Sequence, residues 1–274
     1  MNSLSLFLRY ARYRYIAYRL LLRLKMGKKK RNEYIWNKGI SIIDFLPERP
    51  YSIDGIKVIP RKGTQDFYML YIPREEDVKP HLIMYENETF VDVGANIGSY
   101  SLKIANDYKN KGVSVIAIEA HPGNYKALCR NIELNSFKNV KAINKAASDR
   151  KDIVTIYERF HIENRVRSDF YSLCNTFLHE NNIIRPNGKS LQVESDTLDS
   201  ILANNEVDVM KIDIEGAEVL ALKGATNTLK QLRKIIVEIH GDNFEQVKQI
   251  LQTHNFKQQI IRTMGHISHI VGSK

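Results

Sequence analysis

The feature that most constrains this chain is a regular alternation of short apolar runs with amphipathic stretches, which begins at residue 89. The apolar runs are rich in Val and Ile, and each is followed by a stretch with helical periodicity. This alternation is typical of an α/β fold with a parallel sheet, in which strands are buried on both faces. We therefore predict a doubly wound, mostly parallel sheet over residues 89–274, with strands at Thr89–Val93, Val113–Glu119, Val140–Ile143, Val207–Ile214 and Ile235–Ile239.

The intervening stretches predict the connecting helices. We expect helices that end near Asp107, that run from about Gly123 to Asn135 and from about Val219 to Leu232, and that contain Phe244, Val247 and Leu251. The helix that ends near Asn135 would direct one apolar face to the sheet, made of Tyr125, Leu128, Cys129 and Ile132. Two last apolar runs, Gln259–Ile261 and His266–Val271, could close the sheet as a hairpin.

Two further parts of the chain do not follow this alternation. Residues 33–88 are predicted to form a small cap with a hairpin between Ile56–Ile59 and Phe67–Ile72. Residues 159–190 are polar and rich in Asn and Arg, and we expect an irregular insertion there, following an added strand at Ile153–Glu158. Such an insertion could be a lid or an acceptor-binding loop.

The excess positive charge is confined to the N-terminal arm, residues 1–32. These residues hold ten Lys/Arg and no Asp or Glu, so the remaining 31 Lys/Arg balance all 31 Asp/Glu of the chain. Arginines interrupt each apolar stretch of the arm well before the ~20 residues that a transmembrane helix needs. As a helix, the arm would carry an arginine stripe opposite Leu and Tyr side chains, a pattern that favours an anionic membrane surface. Docking on the protein itself or on an oligomer partner, and nucleic-acid binding, are the alternatives.

The cysteines argue against a fold that is held together by a structural metal ion or by disulfide bonds. The two cysteines, Cys129 and Cys174, form no C-x-x-C pair. We expect a cytoplasmic protein that the arm could hold peripherally on a membrane.

The first candidate binding site is a glycine-rich turn after the first strand. Gly94 and Gly98 are separated by three residues, among them Ala95 and Asn96, where a strand ends and a helix begins. Such a turn lets a ligand approach the backbone, and the helix N-terminus attracts an anionic group. The G-x-G-x-x-G pattern of nicotinamide dehydrogenases is not present. Asp92 would repel a pyrophosphate but suits a ligand with an ammonium group; a tight turn without a ligand is the alternative.

The second candidate is Glu119, which ends the next strand. At the carboxyl edge of a parallel sheet, an acid in this position can accept hydrogen bonds from both hydroxyls of a ribose. Glu119 is followed by Ala120-His121-Pro122, where the chain turns into the next helix. An acid that only stabilises that helix start is the alternative reading.

The third candidate is an acidic segment at the end of the fourth core strand. Lys211, Asp213 and Glu215 alternate and could share one side of the strand. Clustered acids at a sheet edge are costly unless they bind a cation or protons. His240 ends the neighbouring strand and could exchange a proton near neutral pH, although a structural histidine is as plausible.

Together these segments resemble the FkbM family of S-adenosylmethionine-dependent methyltransferases, in order and with similar spacing over roughly residues 89–240. The resemblance is carried by Asp92–Gly98, Ile118–Pro122, Asn144–Asp149, Thr197–Asp199, Lys211–Glu218 and Glu238–His240. The Lys-x-Asp-x-Glu-Gly-x-Glu run from Lys211 is its most specific part. Ala120 departs from the pattern, because the family more often has proline directly after the acid; we expect this to alter the turn and not the ribose contact.

The resemblance implies a class I methyltransferase fold, which is Rossmann-like, and S-adenosylmethionine as the cofactor. Its methionine end would be surrounded by Asp92, Gly94, Ala95, Asn96 and Gly98. Glu119 would hold the ribose beside Ala120, and Asn144 and Ala146 would flank the adenine. Asp213 and Glu215 would face the sulfonium and the acceptor.

The resemblance favours O-methylation of a hydroxyl group, often on a sugar. Our candidates for the base are Asp213, Glu215 and His240, with Lys211 neutralising the acids. We expect no metal, although a magnesium ion on Asp213 and Glu215 is an alternative. With the arm, this predicts a membrane-surface enzyme acting on a glycolipid or lipid-linked oligosaccharide, with nucleic acid not expected as a partner. An RNA methyltransferase, a non-catalytic scaffold and a nicotinamide dehydrogenase are the rivals.

Overall fold

The structure of the protein is a computed structural model that describes residues 48–61, 64, 66, 77–161, 166–172, 177–179, 182–184, 190–203, 205–265 and 267–274. Along these ranges, no helix combines the length and the apolar character needed to cross a bilayer. The N-terminal arm and the predicted strand Phe67–Ile72 lie outside the described residues.

The first half of the chain contains, in order, β1 (Tyr51–Ile53), β2 (Ile56–Val58), β3 (Thr89–Val93), α1 (Ser99–Asp107), β4 (Ser114–Ile118), α2 (Pro122–Leu134), β5 (Val140–Ile143), β6 (Ala146–Ala147) and β7 (Asp152–His161). The second half contains β8 (Val166–Ser172), β9 (Phe177–His179), β10 (Asn182–Ile184), β11 (Ser190–Asp196), α3 (Leu198–Ile201), β12 (Val209–Ile212), α4 (Glu218–Lys223), α5 (Thr226–Gln231), β13 (Lys234–His240), α6 (Phe244–Thr253), β14 (Lys257–Met264) and β15 (Ile267–Ser273). Short 3₁₀ turns lie at Lys79–His81, Lys109–Lys111 and Gly241–Asn243.

The main sheet confirms the predicted doubly wound fold. Within the described residues it has seven strands in the order β14-β15-β13-β12-β3-β4-β5. The five strands from β13 to β5 are parallel, and β15 pairs antiparallel with both β13 and β14. The terminal hairpin therefore closes the sheet, as the last two apolar runs predicted. The order reverses at β3, because the chain continues from β3 to β4 on one side and returns to β12 on the other.

The core follows from the alternation of side chains across the two faces of the sheet. Phe90 and Val209 face one apolar cluster, which includes Ile104 of α1. Their chain neighbours Val91 and Met210 face the other cluster, which receives α4, α5 and α6. All four residues of β12 are buried. Helices on both faces explain why the central strands read as nearly continuous apolar runs.

The predicted helix Val219–Leu232 is interrupted at Gly224, which separates α4 from α5. A Cβ atom at Gly224 would lie 2.1 Å from the carbonyl oxygen of Ser148, so the backbone passes that loop more closely than any side chain allows. The expected inward positions Leu222, Ala225 and Leu229 are nevertheless buried. The turn is a packing requirement that helical periodicity does not reveal.

The described part of the insertion contradicts the irregular structure expected for residues 159–190. β7 runs on to His161 and pairs antiparallel with β8, and β9 pairs with β10. β11 pairs with β7 and with β6, so β7 and β8 belong to a second sheet of order β6-β11-β7-β8, while β9 and β10 form a separate two-stranded sheet. The predicted strand Ile153–Glu158 is confirmed within β7, whereas β8 and β11 are rich in polar residues and lack the apolar periodicity that predicts strands.

The described residues contain an N-terminal hairpin that was not predicted, while the predicted pairing with Phe67–Ile72 lies outside them. β2 is a strand as expected, but its partner in the described chain is β1, joined to it by Asp54-Gly55. Asp54 and Gly55 have φ angles of 50° and 83°, and the Asp-Gly pair is the sequence signal for such a two-residue turn. That signal was available in the sequence and was missed.

Candidate functional site

A cleft lies along the carboxyl ends of β3, β4 and β12, where the strand order reverses. It encloses ≈ 900 Å³ of space that is continuous with solvent. Ligands of open α/β sheets bind at this edge, outside the carboxyl ends of the strands. Its lining residues come from both sheets and from the loops after β3, β4 and β12.

The glycine-rich turn forms the floor of the cleft. The backbone N–H groups of Gly94 and Ala95 both donate to the carbonyl of Ile118, at 2.9 and 3.0 Å. Gly94 has a φ of 85°, and a Cβ atom there would lie 1.9 Å from the carbonyl oxygen of Asp213. Glycine is therefore required for β3 and β12 to approach at the cleft.

Asp92 is buried below this turn and is already engaged by the protein. One oxygen of its carboxylate accepts hydrogen bonds from the Ser101 hydroxyl at 2.6 Å and the Ser101 backbone N–H at 3.1 Å. These contacts hold the first turn of α1 against β3. Asp92 also lines the cleft, so it fixes the turn in addition to any role toward a ligand.

Glu119 stands at the end of β4 and is only 7% exposed. Its carboxylate accepts the backbone N–H groups of Asn96 at 2.8 Å and His121 at 2.9 Å, and the side-chain amide of Asn124 at 3.4 Å. Burial raises the pKa of Glu119, although the donors of His121 and Asn96 act in the opposite direction. The carboxylate is thus fixed in direction by neutral donors, at one end of the cleft.

The wall beside Glu119 is apolar. Ala120 packs against a small cluster in which Ala146 and Ile156 are buried. Asn144 is exposed and does not line the cleft, and its side-chain amide donates to the carbonyls of Glu119 and Ala120 at 2.7 and 2.9 Å. The structure therefore gives Asn144 a role in holding the end of β4 and does not place it on the cleft surface.

Asp213 occupies the other end of the cleft, directly after β12. Its carboxylate accepts a hydrogen bond from the ammonium group of Lys211 at 3.0 Å. Lys211 is 2% exposed, and its ammonium lies 4.6 Å from the centre of the Tyr100 ring. Burial, together with the negative charge of Glu238, raises the pKa of Asp213 to about 7, against the opposing effects of Lys211 and His240. This carboxylate can therefore exchange a proton near neutral pH.

Behind Asp213, carboxylates and imidazoles form a buried chain. His240 Nδ1 lies 3.0 Å from the Glu218 carboxylate, and His240 Nε2 lies 3.4 Å from the Glu238 carboxylate. On the far side of Glu238, His269 Nε2 is 3.0 Å away. Although burial opposes it, the hydrogen bonds of His240 and His269 hold the pKa of Glu238 well below its usual range.

The sequence suggested His240 as a candidate catalytic base, but its surroundings do not suit that role. It is 3% exposed and does not line the cleft. Burial lowers its pKa, but the carboxylates of Glu215, Glu218 and Glu238 outweigh this and raise the pKa of His240 well above its usual value. The raised pKa favours the charged imidazole, which supplies positive charge to the acids, and its burial away from the cleft argues against a role as the base.

Glu215 connects this chain to the cleft surface. Its carboxylate lies 3.6 Å from His240 Nε2, and its backbone has a φ of 55°, which is uncommon for glutamate. Asn96, another residue that lines the cleft, also has a positive φ of 50°. Two non-glycine residues in left-handed conformations therefore line the candidate site, where such strain is often found.

A divalent cation could be held by Asp213, Glu238 and His240, whose ligand atoms lie within 4.8 Å of one another. The same acids already receive positive charge from Lys211 and His240. Because these positive groups already compensate the negative charge of the carboxylates, we assign no metal ion to the cluster.

Most of the predicted site residues come together in the cleft, namely Asp92, Gly94, Ala95, Asn96, Glu119, Ala120, Ala146, Asp213 and Glu215. Gly98, Asn144 and His240 do not line it. Further lining residues that the sequence did not identify include Ser99, Tyr100, Asn124, Lys145 and Ile156. Tyr100 and Asn124 follow the two predicted site motifs by a few residues, which is the signal that could have found them. Ile156 lies in the predicted strand Ile153–Glu158, but the pairing that brings this strand to the cleft was not predicted.

The cleft also contains polar atoms that the protein leaves unsatisfied. Asn96 Oδ1 and Ser99 Oγ are buried and have no hydrogen-bond partner among the described residues. Both residues line the cleft beside the N-terminus of α1. Buried polar atoms without partners are rare in native proteins, and here they indicate space for a polar ligand.

Comparison with known proteins identifies the site's family. Residues 92–258 match the family described as "Methyltransferase FkbM domain". This confirms the resemblance inferred from the motifs.

Individual relatives are distant. The chain is 23% identical over 217 residues to the hexuronic acid methyltransferase AglP of Haloferax volcanii, covering 78% of each protein. Over a shorter stretch of 79 residues, it is 39% identical to a tRNA(Phe) (4-demethylwyosine(37)-C(7)) aminocarboxypropyltransferase of Methanocaldococcus jannaschii, covering 29% of this chain and 30% of that protein. The crystal structure of an FkbM methyltransferase from Methylobacillus flagellatus is similar with a TM-score of 0.50 and 16% identity, covering 73% of this chain and 48% of that one. This chain thus spans about half the length of that structure, and the likeness supports the fold.

Proposed function

Since this chain belongs to the FkbM methyltransferase family, we propose that it transfers a methyl group from S-adenosylmethionine to a hydroxyl group of a sugar. The observation that carries the proposal is the pair of carboxylates at the two ends of one cleft. Glu119 is oriented by neutral N–H donors, whereas Asp213 is placed among charged groups. The first arrangement suits a group that binds hydroxyls, and the second suits a group that takes up a proton.

The residues of the cleft fit this cofactor. Glu119 would hold the ribose hydroxyls, and the apolar wall of Ala120, Ala146 and Ile156 would contact the adenine. The unsatisfied atoms of Asn96 and Ser99 would hydrogen-bond the methionine end at the start of α1.

The chemistry divides between the cofactor and the chain. When bound, S-adenosylmethionine supplies a methyl group on a positively charged sulfur, and this sulfur becomes neutral when its bond to the methyl carbon breaks. Asp213 would accept the proton of the acceptor hydroxyl while the oxygen–carbon bond forms. Glu215, held by His240, would orient the acceptor. Such base catalysis contributes about 10²–10⁴-fold, and alignment of the reacting atoms adds to it.

The choice of a sugar as acceptor is supported by two considerations. A sugar hydroxyl is a weak acid, so its methylation benefits from a base such as Asp213. AglP, which this chain matches over 78% of its length, is by its name a methyltransferase of hexuronic acid. The second sheet, which contributes Ile156 to the cleft, is our candidate for the acceptor-binding element.

Localisation is a separate part of the proposal and depends on the arm. Ten basic residues and no acids over residues 1–32 suit the surface of an anionic membrane, where glycolipid acceptors are found. Deletion of residues 1–32 should abolish cosedimentation with vesicles containing phosphatidylserine while leaving cofactor binding unchanged. Equal vesicle binding by the truncated protein would contradict the membrane assignment.

Calorimetric titration with S-adenosylhomocysteine tests the enzyme proposal directly, with NAD as the control ligand. We expect binding in the micromolar range for S-adenosylhomocysteine and none for NAD. Transfer of radiolabelled methyl groups to glycolipid extracts, compared with transfer to tRNA, then tests the acceptor. Labelled tRNA and unlabelled glycan would favour the RNA methyltransferase alternative; a folded protein that binds no adenosyl ligand would favour a scaffold.

A further inference from the structure

One stripe of α2 is polar where the sequence predicted an apolar face. Asn124, Leu128, Asn131 and Asn135 are spaced by four, three and four residues, so they lie along one side of the helix. Asn124, Leu128 and Asn131 are 3%, 0% and 0% exposed. The predicted face of Tyr125, Cys129 and Ile132 is only half-buried. Three asparagines on the buried side of a helix require partners for their amides.

The lower part of this stripe binds the N-terminal hairpin. The Lys57 backbone N–H donates to Asn135 Oδ1 at 2.7 Å, and the Asn135 amide donates to the Lys57 carbonyl at 2.6 Å. Two residues further along the chain, the Ile59 backbone N–H donates to Asn131 Oδ1 at 3.0 Å. The side chains of α2 thus supply β2 and its extension with hydrogen bonds of the kind that a neighbouring strand would provide.

Asn131 has a second contact that Asn135 lacks. Its amide group donates to the carbonyl of Ile97 at 3.0 Å. Ile97 lies in the glycine-rich turn, immediately after Asn96, whose backbone N–H binds Glu119. One turn earlier on α2, Leu128 packs against the same loop, because a Cβ atom at Gly98 would lie 2.9 Å from its methyl carbon.

We propose that Asn131 is a positioning residue that couples the N-terminal hairpin to the cofactor-binding turn, through its carbonyl oxygen on Ile59 and its amide nitrogen on Ile97. This inference rests on the proposed function, since it assumes that the turn holds S-adenosylmethionine. The hairpin then belongs to the binding site functionally, although it contributes none of the residues that line the cleft.

The chemistry of the amide explains why asparagine is needed at this position. Only a side chain with one acceptor and one donor at its tip can join an N–H on one side to a carbonyl on the other. Aspartate has the same shape and keeps an acceptor for Ile59, but its second oxygen faces the Ile97 carbonyl without a proton. Asn131→Asp therefore breaks the contact with the turn and keeps the contact with the hairpin.

Asn135→Asp is the matched control. It makes the same chemical change four residues away and removes the amide's bonds to the backbone carbonyls of Lys57 and Asn131, while the Asn131 side chain keeps its contact with the glycine-rich turn. Both variants and the wild type are titrated with S-adenosylhomocysteine, and their unfolding temperatures and steady-state kinetics are measured in parallel. Asn131→Ser, which is smaller and uncharged, serves as a second variant if Asn131→Asp does not fold.

We expect Asn131→Asp to weaken S-adenosylhomocysteine binding by about fivefold to tenfold, the range expected for one lost hydrogen bond, and to raise the KM for S-adenosylmethionine with little change in kcat. Asn135→Asp should change binding by less than about twofold, the value of a contact remote from the ligand. Equal affinities for Asn131→Asp and wild type, or equal losses in both variants, would overturn the coupling. Failure of the wild type to bind would instead overturn the proposed function, so the two failures are distinguishable.

Discussion

The two ends of the cleft carry buried carboxylates that the protein treats in opposite ways. Glu119 accepts hydrogen bonds from two backbone N–H groups and one amide, all of them uncharged. Asp213 is bound to the ammonium of Lys211 and faces the charge of Glu238. Burial raises the pKa of both acids, but only at Asp213 does a neighbouring negative charge add to the effect.

This difference separates binding from proton transfer. Neutral donors in fixed directions give a carboxylate a defined orientation, which suits the recognition of paired hydroxyls. Opposing charges close to a carboxylate balance its two protonation states, which suits a group that must change its state during turnover. We therefore expect Glu119 to bind hydroxyl groups and Asp213 to transfer a proton, although both are carboxylic acids. The substitutions below test this division.

The largest effect should come from Asp213→Asn. The amide cannot accept the hydroxyl proton, so we expect kcat to fall by about 10²–10⁴-fold. Binding of S-adenosylhomocysteine, which is the neutral product, should be retained within about threefold because the ribose end is untouched. Single-turnover methyl transfer and calorimetry provide the two measurements. A rate within about tenfold of the wild type would remove Asp213 as the base.

The complementary change is Glu119→Gln at the other end. The glutamine amide would face the N–H donors of Asn96 and His121 and could not accept both hydroxyls of a ribose. We expect S-adenosylhomocysteine binding to weaken by roughly 10–100-fold, with kcat at saturation changed by less than about threefold. Glu194→Gln, an exposed change on β11, is the control. If kcat fell as much as affinity, the division between binding and proton transfer would be wrong.

The charge environment of Asp213 can be tested through pH. Since the pKa of Asp213 is about 7, kcat/KM should rise with pH and level off above that value as the carboxylate becomes ionised. Lys211→Met removes the ammonium that favours the ionised form, so the rise should move to higher pH by about one unit. Glu215, Glu238 and His240, which also act on Asp213, stay in place. A shift to lower pH, or none, would contradict the role given to Lys211.

The smallest effect concerns stability. The pKa of Asp213 is raised from 3.8 to about 7 by folding, so its stabilising contribution is present below pH 3.8 and is lost as the pH rises toward 7. Asn cannot ionise, so Asp213→Asn should gain about 1 kcal/mol of unfolding free energy relative to the wild type between pH 4 and pH 8, a value reduced because the side chain is partly exposed. Urea unfolding at the two pH values measures this difference. An equal difference at both would mean that Asp213 does not titrate in this range.

Much of the fold was accessible from the sequence because the central strands and the glycine-rich turn carry strong local signals. β3 and β5 were predicted at their observed bounds, and the terminal hairpin closes the sheet as expected. In the second sheet the strand Ile153–Glu158 was predicted, but β8 and β11 were not, because their sequences are rich in polar residues and their pairing with β7 joins distant parts of the chain. The break at Gly224 was missed because it depends on the approach of the Ser148 carbonyl, which is distant in the sequence.

The sequence by itself determined the family, the parallel sheet and the acids that would meet at one edge, because periodicity and motif spacing are local properties. Only the tertiary structure decided what each group does there. It placed His240 behind the cleft among three carboxylates, and it turned Asn131 inward between the hairpin and the turn. Protonation states and hydrogen-bond partners depend on burial and on residues far apart in the chain, so only the folded structure determines them.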